Sequence, residues 1–499
     1  MEKQISSLVT PFALILLVFI LLKVAKLFRN DKSKLPPGPR QLPFIGNIHQ
    51  LIGSLPHHIL KDLANKYGPL MSLKLGEVSV FVVSSPEIAH DMMKTHDLNF
   101  VQRPYSLSTD ILSYHSSNIA SSPYGDYWRQ MRRICTLEIF SSKSVHKFRS
   151  IREEEVLNFI NSVSQNKGLP INLSKELFSL TSGITARAAF GKRINDSQVF
   201  AMTLKEMLEL SAGFSVADMY PSLKVLHVIS GLRKRLKKVH KDMDKVLARV
   251  MTEHRDRNRE ADPQDLVDVL LKTQKDEFIT PPLTDNNIKA VILDVISGGS
   301  ETSSITIDWA MSEMLKNPKV MERAQAEIRK VCEGKENIDE TMLHELSYLK
   351  QVIKETLRLH PAAPLLVARE CREQCQLHGY DVPVKTKIVV NAWAIGRDPR
   401  FWADPDTFNP QRFEDSSVEF KGTNFEYIPF GAGRRICPGM LFALPMIELP
   451  LAQMLYRFDW KLPEGLKNEE LDMSEAYGIT AGRKHDLYVI PVAYTPQKA

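Results

Sequence analysis

Cysteine is scarce in this chain: five in 499 residues, at Cys135, Cys332, Cys371, Cys375 and Cys437. So odd and scattered a set excludes a disulfide framework and suits a reducing compartment. Cys371 and Cys375 stand four apart, but no second pair or histidine tract accompanies them. A zinc or iron–sulfur site is therefore not encoded there. A surplus of charge is missing too. Lys and Arg number 65 against 59 Asp and Glu, a net +6 spread along the chain, too weak for a nucleic-acid partner. No internal repeat and no low-complexity linker occurs, which sets aside repeat architectures. A 43% hydrophobic content is ample for a large core, and length alone would suggest about two to three domains.

What is present is concentrated in one phrase, Phe430-Gly431-Ala432-Gly433-Arg434-Arg435-Ile436-Cys437-Pro438-Gly439. It sets a cysteine in a glycine-rich, basic turn before an apolar helical segment. Nearby arginines, backbone amides bared by glycine and a following helix N-terminus all favour a thiolate. A buried thiolate needs a metal or a substrate as partner. A lone one suits the axial position of a haem better than zinc. The plainer alternative is a small apolar filler.

The N-terminus carries a second signal. Residues 4–22 hold no charge, and Phe12 to Leu22 are apolar throughout. At 1.5 Å per residue that stretch roughly spans a bilayer core. Lys23, Lys26, Arg29, Lys32, Lys34 and Arg40 follow, against Asp31 alone. Positive flanks stay cytosolic, which predicts a retained anchor with the body in the cytosol and the sequons at Asn172 and Asn195 unglycosylated. Leu35-Pro36-Pro37-Gly38-Pro39 reads as a stiff, non-helical spacer. The predicted layout is an anchor over 1–28, a basic and proline-rich hinge over 29–40 and one catalytic domain over 41–499.

The body is mainly α with a minor β region; strands are predicted near Val78 to Val83, Lys387 to Val390 and Leu487 to Pro491. Three helices bear on function. Over Asp126 to Phe140, Trp128 and Arg132 share a face, an indole N–H beside a guanidinium that suits an anion. A long helix over Thr284 to Lys316, capped by Thr284 and stopped before Pro318, contains Ser297-Gly298-Gly299-Ser300-Glu301-Thr302-Ser303. Two adjacent glycines there cost roughly 2 kcal/mol against alanine. Close packing is one explanation; a local opening for a small ligand beside Glu301 and Thr302 is the other. The third helix, Ser347 to His360, places Glu355 and Arg358 three apart. The basic run Gly231 to Lys238 reads as a solvated helical face or as a docking surface for acidic lipid or an acidic partner.

Phe, Gly, Arg, Cys and Gly at these offsets resemble the haem-binding loop of the cytochrome P-450 superfamily. Trp128-x-x-x-Arg132, the Gly298-Gly299-Ser300-Glu301-Thr302 run, Glu355-x-x-Arg358 and Phe408-Asn409-Pro410-Gln411-Arg412-Phe413 follow the superfamily's order. The proline hinge resembles that of its microsomal members. Pro123 to Arg133, Ile353 to Pro361 and Trp393 to Pro399 resemble its plant A-type seventy-one clan, and the whole chain is similar to the terpenoid oxygenases there. Departures are Gln411 in place of the usual glutamate and Ala368 where relatives carry proline.

The resemblance implies a fold with a long central helix over haem b, and an NADPH- and O2-dependent monooxygenase. Cys437 would ligate iron. Trp128, Arg132, Arg369 and Arg435 would meet the haem propionates, and Phe430 would pack on the cysteine loop. Thr302 and Glu301 would handle protons at the oxygen site. Glu355, Arg358 and Arg412 would form a structural triad. Ala120, Ser121, Asp294, Ser297, Gly298, Leu365, Leu366, Val367, Tyr477 and Ile479 would line a pocket for a hydrophobic molecule. A sesquiterpene or diterpene is the expected substrate, with an alkaloid or phenolic as alternative. The implied partners are a membrane-bound NADPH-cytochrome reductase docking near Arg129, Arg133 and Arg434, a small membrane cytochrome b, and the endoplasmic reticulum bilayer. A haem-thiolate isomerase or lyase would need no reductase, but such proteins typically lack the acid–threonine pair present here.

Overall fold

The computed structural model describes residues 34–192, 197–211, 215–223, 230–256, 265–276, 281–476 and 478–494. The predicted anchor, Asn195 and Tyr477 lie outside them. Among the described residues no helix is long and apolar enough to cross a membrane. Residues 34–40 form neither helix nor strand, as their prolines require. They are docked on the body: Ser72 N–H donates to Pro37 O at 2.8 Å, and Lys34 N–H to the Asp381 carboxylate at 2.8 Å.

The elements that carry the site run in chain order. They are α1 (Pro56–Tyr67), β1 (Leu70–Leu75), β2 (Val78–Val83), α2 (Asp126–Ile134), α3 (Arg149–Gln165), α4 (Leu173–Phe190) and α5 (Leu232–Asp256). After these come α6 (Asp285–Lys316), α7 (Pro318–Val331), α8 (Ser347–Leu359), β3 (Arg369–Glu370), β4 (Lys387–Val390) and α9 (Met440–Arg457). The sheet order is β1-β2-β4-β3; β2 and β4 run parallel and the outer pairs antiparallel. Alternation along β2 sends Val80 and Val82 to one side and Phe81 and Val83 to the other, so the sheet builds two apolar clusters. A second sheet, from Ile171–Asn172, Phe458–Lys461 and Tyr488–Ala493, closes the helical side.

The central helix α6 begins where the sequence places it. Thr284 accepts from Asn287 N–H, and the Asn287 side chain accepts from Thr284 N–H, a reciprocal cap. α6 runs unbroken for 32 residues and packs along α4, α8 and α9. The basic residues at the start of α5 lie on a solvated face, where Arg235 pairs with Glu206 at 2.7 Å. The helix expected to continue through Phe140 ends as α-helix at Ile134 and widens into a π turn over Cys135–Ile139.

Beneath α6, α8 carries the expected triad. Arg358 grips Glu355 through two bonds of 2.7 and 2.8 Å, and Arg412 Nε donates to Glu355 Oε1 at 2.9 Å. The arginines then fasten the loop after β4: Arg358 reaches Gly396 O and Pro405 O at 2.6 Å, and Arg412 reaches Ala403 O at 2.9 Å. Gln411 takes no part in the triad, its N–H capping onto Asn409. Glu355 is fully buried and Arg358 is 1% exposed. Removing the carboxylate leaves a buried, uncompensated guanidinium. Glu355→Ala should therefore lower the unfolding free energy by about 3–5 kcal/mol. Denaturant unfolding checks this, and a midpoint equal to that of the unaltered protein would contradict it.

Candidate active site

The cysteine loop folds as a tight hairpin. Cys437 N–H donates to Phe430 O at 2.9 Å, and Phe430 sits edge-on to Phe420 at 5.5 Å. Gly433 has φ +68°, and a Cβ there would lie 2.2 Å from Met93 O, so no side chain fits. The three stabilisers expected around the sulfur are in place. Gly439 N–H and Met440 N–H, at the start of α9, point at it, and the Arg132 charge is near. Burial still wins and pushes the Cys437 thiol up. The loop thus offers sulfur that gains most from a bound metal cation, whose charge would offset the desolvation.

Around this loop four guanidiniums crowd together: Arg103, Arg132, Arg369 and Arg435. Burial, then the charges of Arg435, Arg369 and Arg132, hold the Arg103 pKa well below its ordinary value. Burial and the charges of Arg369 and Arg132 bring Arg435 down to about 9. Asp97 offsets part of this, accepting from Arg369 at 2.8 Å and from Arg434 at 3.0 Å. The remaining excess calls for an anionic ligand. The two carboxylates of a haem meet that demand while its iron meets the sulfur, so the residues present fit this cofactor.

Not every expected partner points the same way. Arg435 lies over the Trp128 ring at 4.2 Å and spends its donors on backbone carbonyls: Val101 O at 3.0 Å, Ile119 O at 3.2 Å and Ser122 O at 2.7 Å. Trp128 Nε1 also donates to Ile119 O, at 3.0 Å. Arg435 contributes charge, and both residues fasten the 118–122 loop through these bonds to its carbonyls. Arg132 donates to Ile436 O at 2.5 Å, and Arg369 to Ala432 O at 2.7 Å. Arg103 was not foreseen, since a lone arginine before Pro104 carries no spacing signal. Its Nε donates to Ala120 O at 2.8 Å, and its Nη1 to Val367 O and Ala368 O at 2.6 and 2.8 Å. The turn at Ala368, where relatives carry proline, is thereby pinned from outside.

Asp294 differs from its expected role as pocket lining. Its carboxylate accepts from Asn118 Nδ2 at 2.6 Å, Ile119 N–H at 2.7 Å and Ala120 N–H at 2.9 Å. Burial raises its pKa to about 6 against those bonds. It clamps the 118–122 loop to α6, the same loop whose carbonyls receive Trp128, Arg103 and Arg435.

The two glycines of α6 divide the two explanations between them. A Cβ on Gly299 would meet Thr185 Cγ2 at 2.5 Å, so this glycine serves close packing on α4. A Cβ on Gly298 would meet nothing within 4 Å, so this one faces open space. The helix does not open, in contrast to the second expectation; the room comes from a missing side chain. One turn on, Thr302 Oγ1 donates to Gly298 O at 2.5 Å, and Ser297 Oγ is tied to Leu293 O. Burial raises the Glu301 carboxyl, partly opposed by a hydrogen bond from Thr480, and Glu301 Oε2 is buried without a hydrogen-bond partner among the described residues.

A cavity lies against the sheet face that carries Val78, Val80, Lys387 and Val389. Of the expected substrate residues, Ser121, Leu365, Leu366, Val367 and Ile479 line it, while Ala120, Asp294, Ser297 and Gly298 do not. Wall residues not foreseen include Val78, Val80, Tyr105, Thr109 and Lys387. The segment bearing Ile479 is anchored by Glu475. Burial would raise that carboxyl, but His360, His57 and His58 hold it well below the usual range; His57 Nε2 lies 2.5 Å away and His58 Nε2 3.4 Å. Arg129, Arg133 and Arg434 are exposed, Arg129 paired with Asp126 and Arg434 with Asp97.

Comparison with known proteins agrees with this geometry. A family model described as Cytochrome P450 matches residues 36–487. The desmethyl-deoxy-podophyllotoxin synthase of Sinopodophyllum hexandrum is 54% identical, over 96% of this chain and 95% of its own. The premnaspirodiene oxygenase of Hyoscyamus muticus is 50% identical, over 99% of this chain and all of its own. Among solved structures, a zebra fish cytochrome P450 with progesterone superposes with a TM-score of 0.78 at 25% identity, covering 88% of this chain and all of that one. With the cysteine loop, the guanidinium cluster and the long helix over them, these matches make the chain a member of the cytochrome P450 family.

Proposed function

We propose that this monooxygenase hydroxylates a sesquiterpene or diterpene at the endoplasmic reticulum membrane, with residues 1–28 as anchor and the body in the cytosol. The observation that carries the substrate reading is the cavity wall. Val78, Val80, Leu365, Leu366, Val367, Val389 and Ile479 form an aliphatic surface suited to an olefinic or polycyclic hydrocarbon skeleton. When bound, haem activates dioxygen with two electrons delivered from NADPH by a reductase, placing one oxygen atom in a C–H bond and releasing the other as water.

The chain's own residues do the rest. Cys437 would hold the iron through its sulfur, and Arg103, Arg132, Arg369 and Arg435 would supply the positive field for the haem carboxylates. Asp294 keeps the 118–122 loop, and so that field, in register with α6. Gly298 leaves room beside the helix. Thr302 and Glu301 move protons into that room: the Thr302 hydroxyl donates back to its own helix at rest, and the neighbouring Glu301 carboxyl, its pKa raised by burial, serves as the next group in the relay. Arg129, Arg133 and Arg434 form the face that meets the reductase and, beside it, a small membrane cytochrome b.

Incubating the full chain with reductase, NADPH and a panel of terpene olefins, read by mass, should yield products heavier by one oxygen. Conversion confined to alkaloid or phenolic scaffolds would overturn the terpenoid reading. In the same assay Thr302→Ala should lower product formed per NADPH by about tenfold or more, with peroxide rising in its place. Unchanged coupling would remove Thr302 from proton delivery.

A further inference from the structure

The cavity wall contains a lysine, Lys387, that forms no hydrogen bond and no ion pair among the described residues. Lys387 opens β4, and the sheet register sets it beside Val80 on β2 and Glu370 on β3, on the face that also carries Val78 and Val389. Glu370 stands opposite in register without closing a salt bridge. Asp218, across the cavity, is already occupied, accepting from Leu107 N–H at 2.9 Å, Ser215 Oγ at 2.8 Å and Ser106 Oγ at 3.3 Å. Arg103, the other wall cation, spends its Nε and Nη1 on backbone carbonyls. Two wall hydroxyls are engaged as well: Thr109 donates to Ser106 O and Ser211 to Met207 O.

We propose that Lys387 is a specificity-determining residue that takes a hydrogen-bond-accepting oxygen of the substrate, so that the cavity prefers an already oxygenated terpenoid, a carboxylate above all, to the parent hydrocarbon. The inference rests on the terpenoid reading given above. A half-buried ammonium among valines and leucines keeps most of its desolvation cost until an acceptor arrives. Burial lowers its pKa, partly opposed by Asp218 and Glu370, in keeping with that cost. The aliphatic wall holds the skeleton, and Lys387 fixes which end of it points outward. A carboxylate ligand also implies its origin: an earlier oxidation must have brought that carbon of the skeleton to the acid level.

The test is spectral titration of the haem-loaded full chain with one diterpene skeleton offered as hydrocarbon, alcohol and carboxylic acid. The acid should bind about 10- to 100-fold tighter than the hydrocarbon, the range a charge-assisted hydrogen bond provides. Lys387→Met should collapse that ratio, and Lys387→Arg should keep part of it. An acid no tighter than the hydrocarbon, or a ratio that survives Lys387→Met, overturns the proposal and leaves the terpenoid reading standing. Equal weakening of all three ligands in Lys387→Met assigns the residue to structure and overturns it as well. Failure of every member to bind overturns both readings.

Discussion

Four guanidiniums share one buried neighbourhood, and much of the site follows from that repulsion. Arg103, Arg132, Arg369 and Arg435 each lose charge stability to burial, and Arg103 and Arg435 lose more to their neighbours. The fold tolerates them by surrounding each with backbone carbonyls from the 118–122 loop, the 367–368 turn and the cysteine loop. Those carbonyls bring partial negative charge but no full anion. A ligand with two carboxylates completes the arrangement, and Asp294 keeps its main support from drifting by tying the 118–122 loop to the central helix. The same loop also gives Ser121 to the cavity wall, so charge compensation beneath and substrate fit above share one short segment.

The central helix joins these parts because one element does unlike work on successive turns. Asp294 clamps a loop, Gly298 leaves space, Gly299 lets α4 approach, and Glu301 and Thr302 present protic groups beside the gap. A helix with side chains at both glycines would have neither the room nor the packing. Continuity matters as well: the helix stays hydrogen-bonded through this stretch, so the positions of Gly298 and Thr302 are set by a rigid rod.

What was legible in the sequence was what rests on local spacing. The Cys437 hairpin, the Thr284 cap and the Glu355–Arg358 pair each depend on residues within a few positions of one another. Phe408 to Phe413 was legible as a phrase, and Arg412 lands on Glu355 accordingly. The mainly helical fold with a minor sheet followed from the same periodicities. What was not legible depends on distant segments meeting. Arg103 matters because residues 120, 367 and 368 lie around it. Asp294 turned from pocket lining into a clamp because Asn118 folds back onto it. Trp128 and Arg435 lie at the guanidinium cluster, yet their hydrogens go to carbonyls that no spacing rule reveals. Lys387 stood out only when the sheet register put it on a valine-rich face.

If the guanidinium cluster holds the two carboxylates of a haem, Arg103 is the member whose loss shows it most directly, because no sequence pattern assigned it. Haem transfer from the loaded protein to an apo-globin acceptor should run at least about tenfold faster for Arg103→Gln than for the unaltered chain, with the thiolate spectrum retained until the haem departs. An unchanged transfer rate would contradict the account, leaving Arg103 a fastener of loops alone.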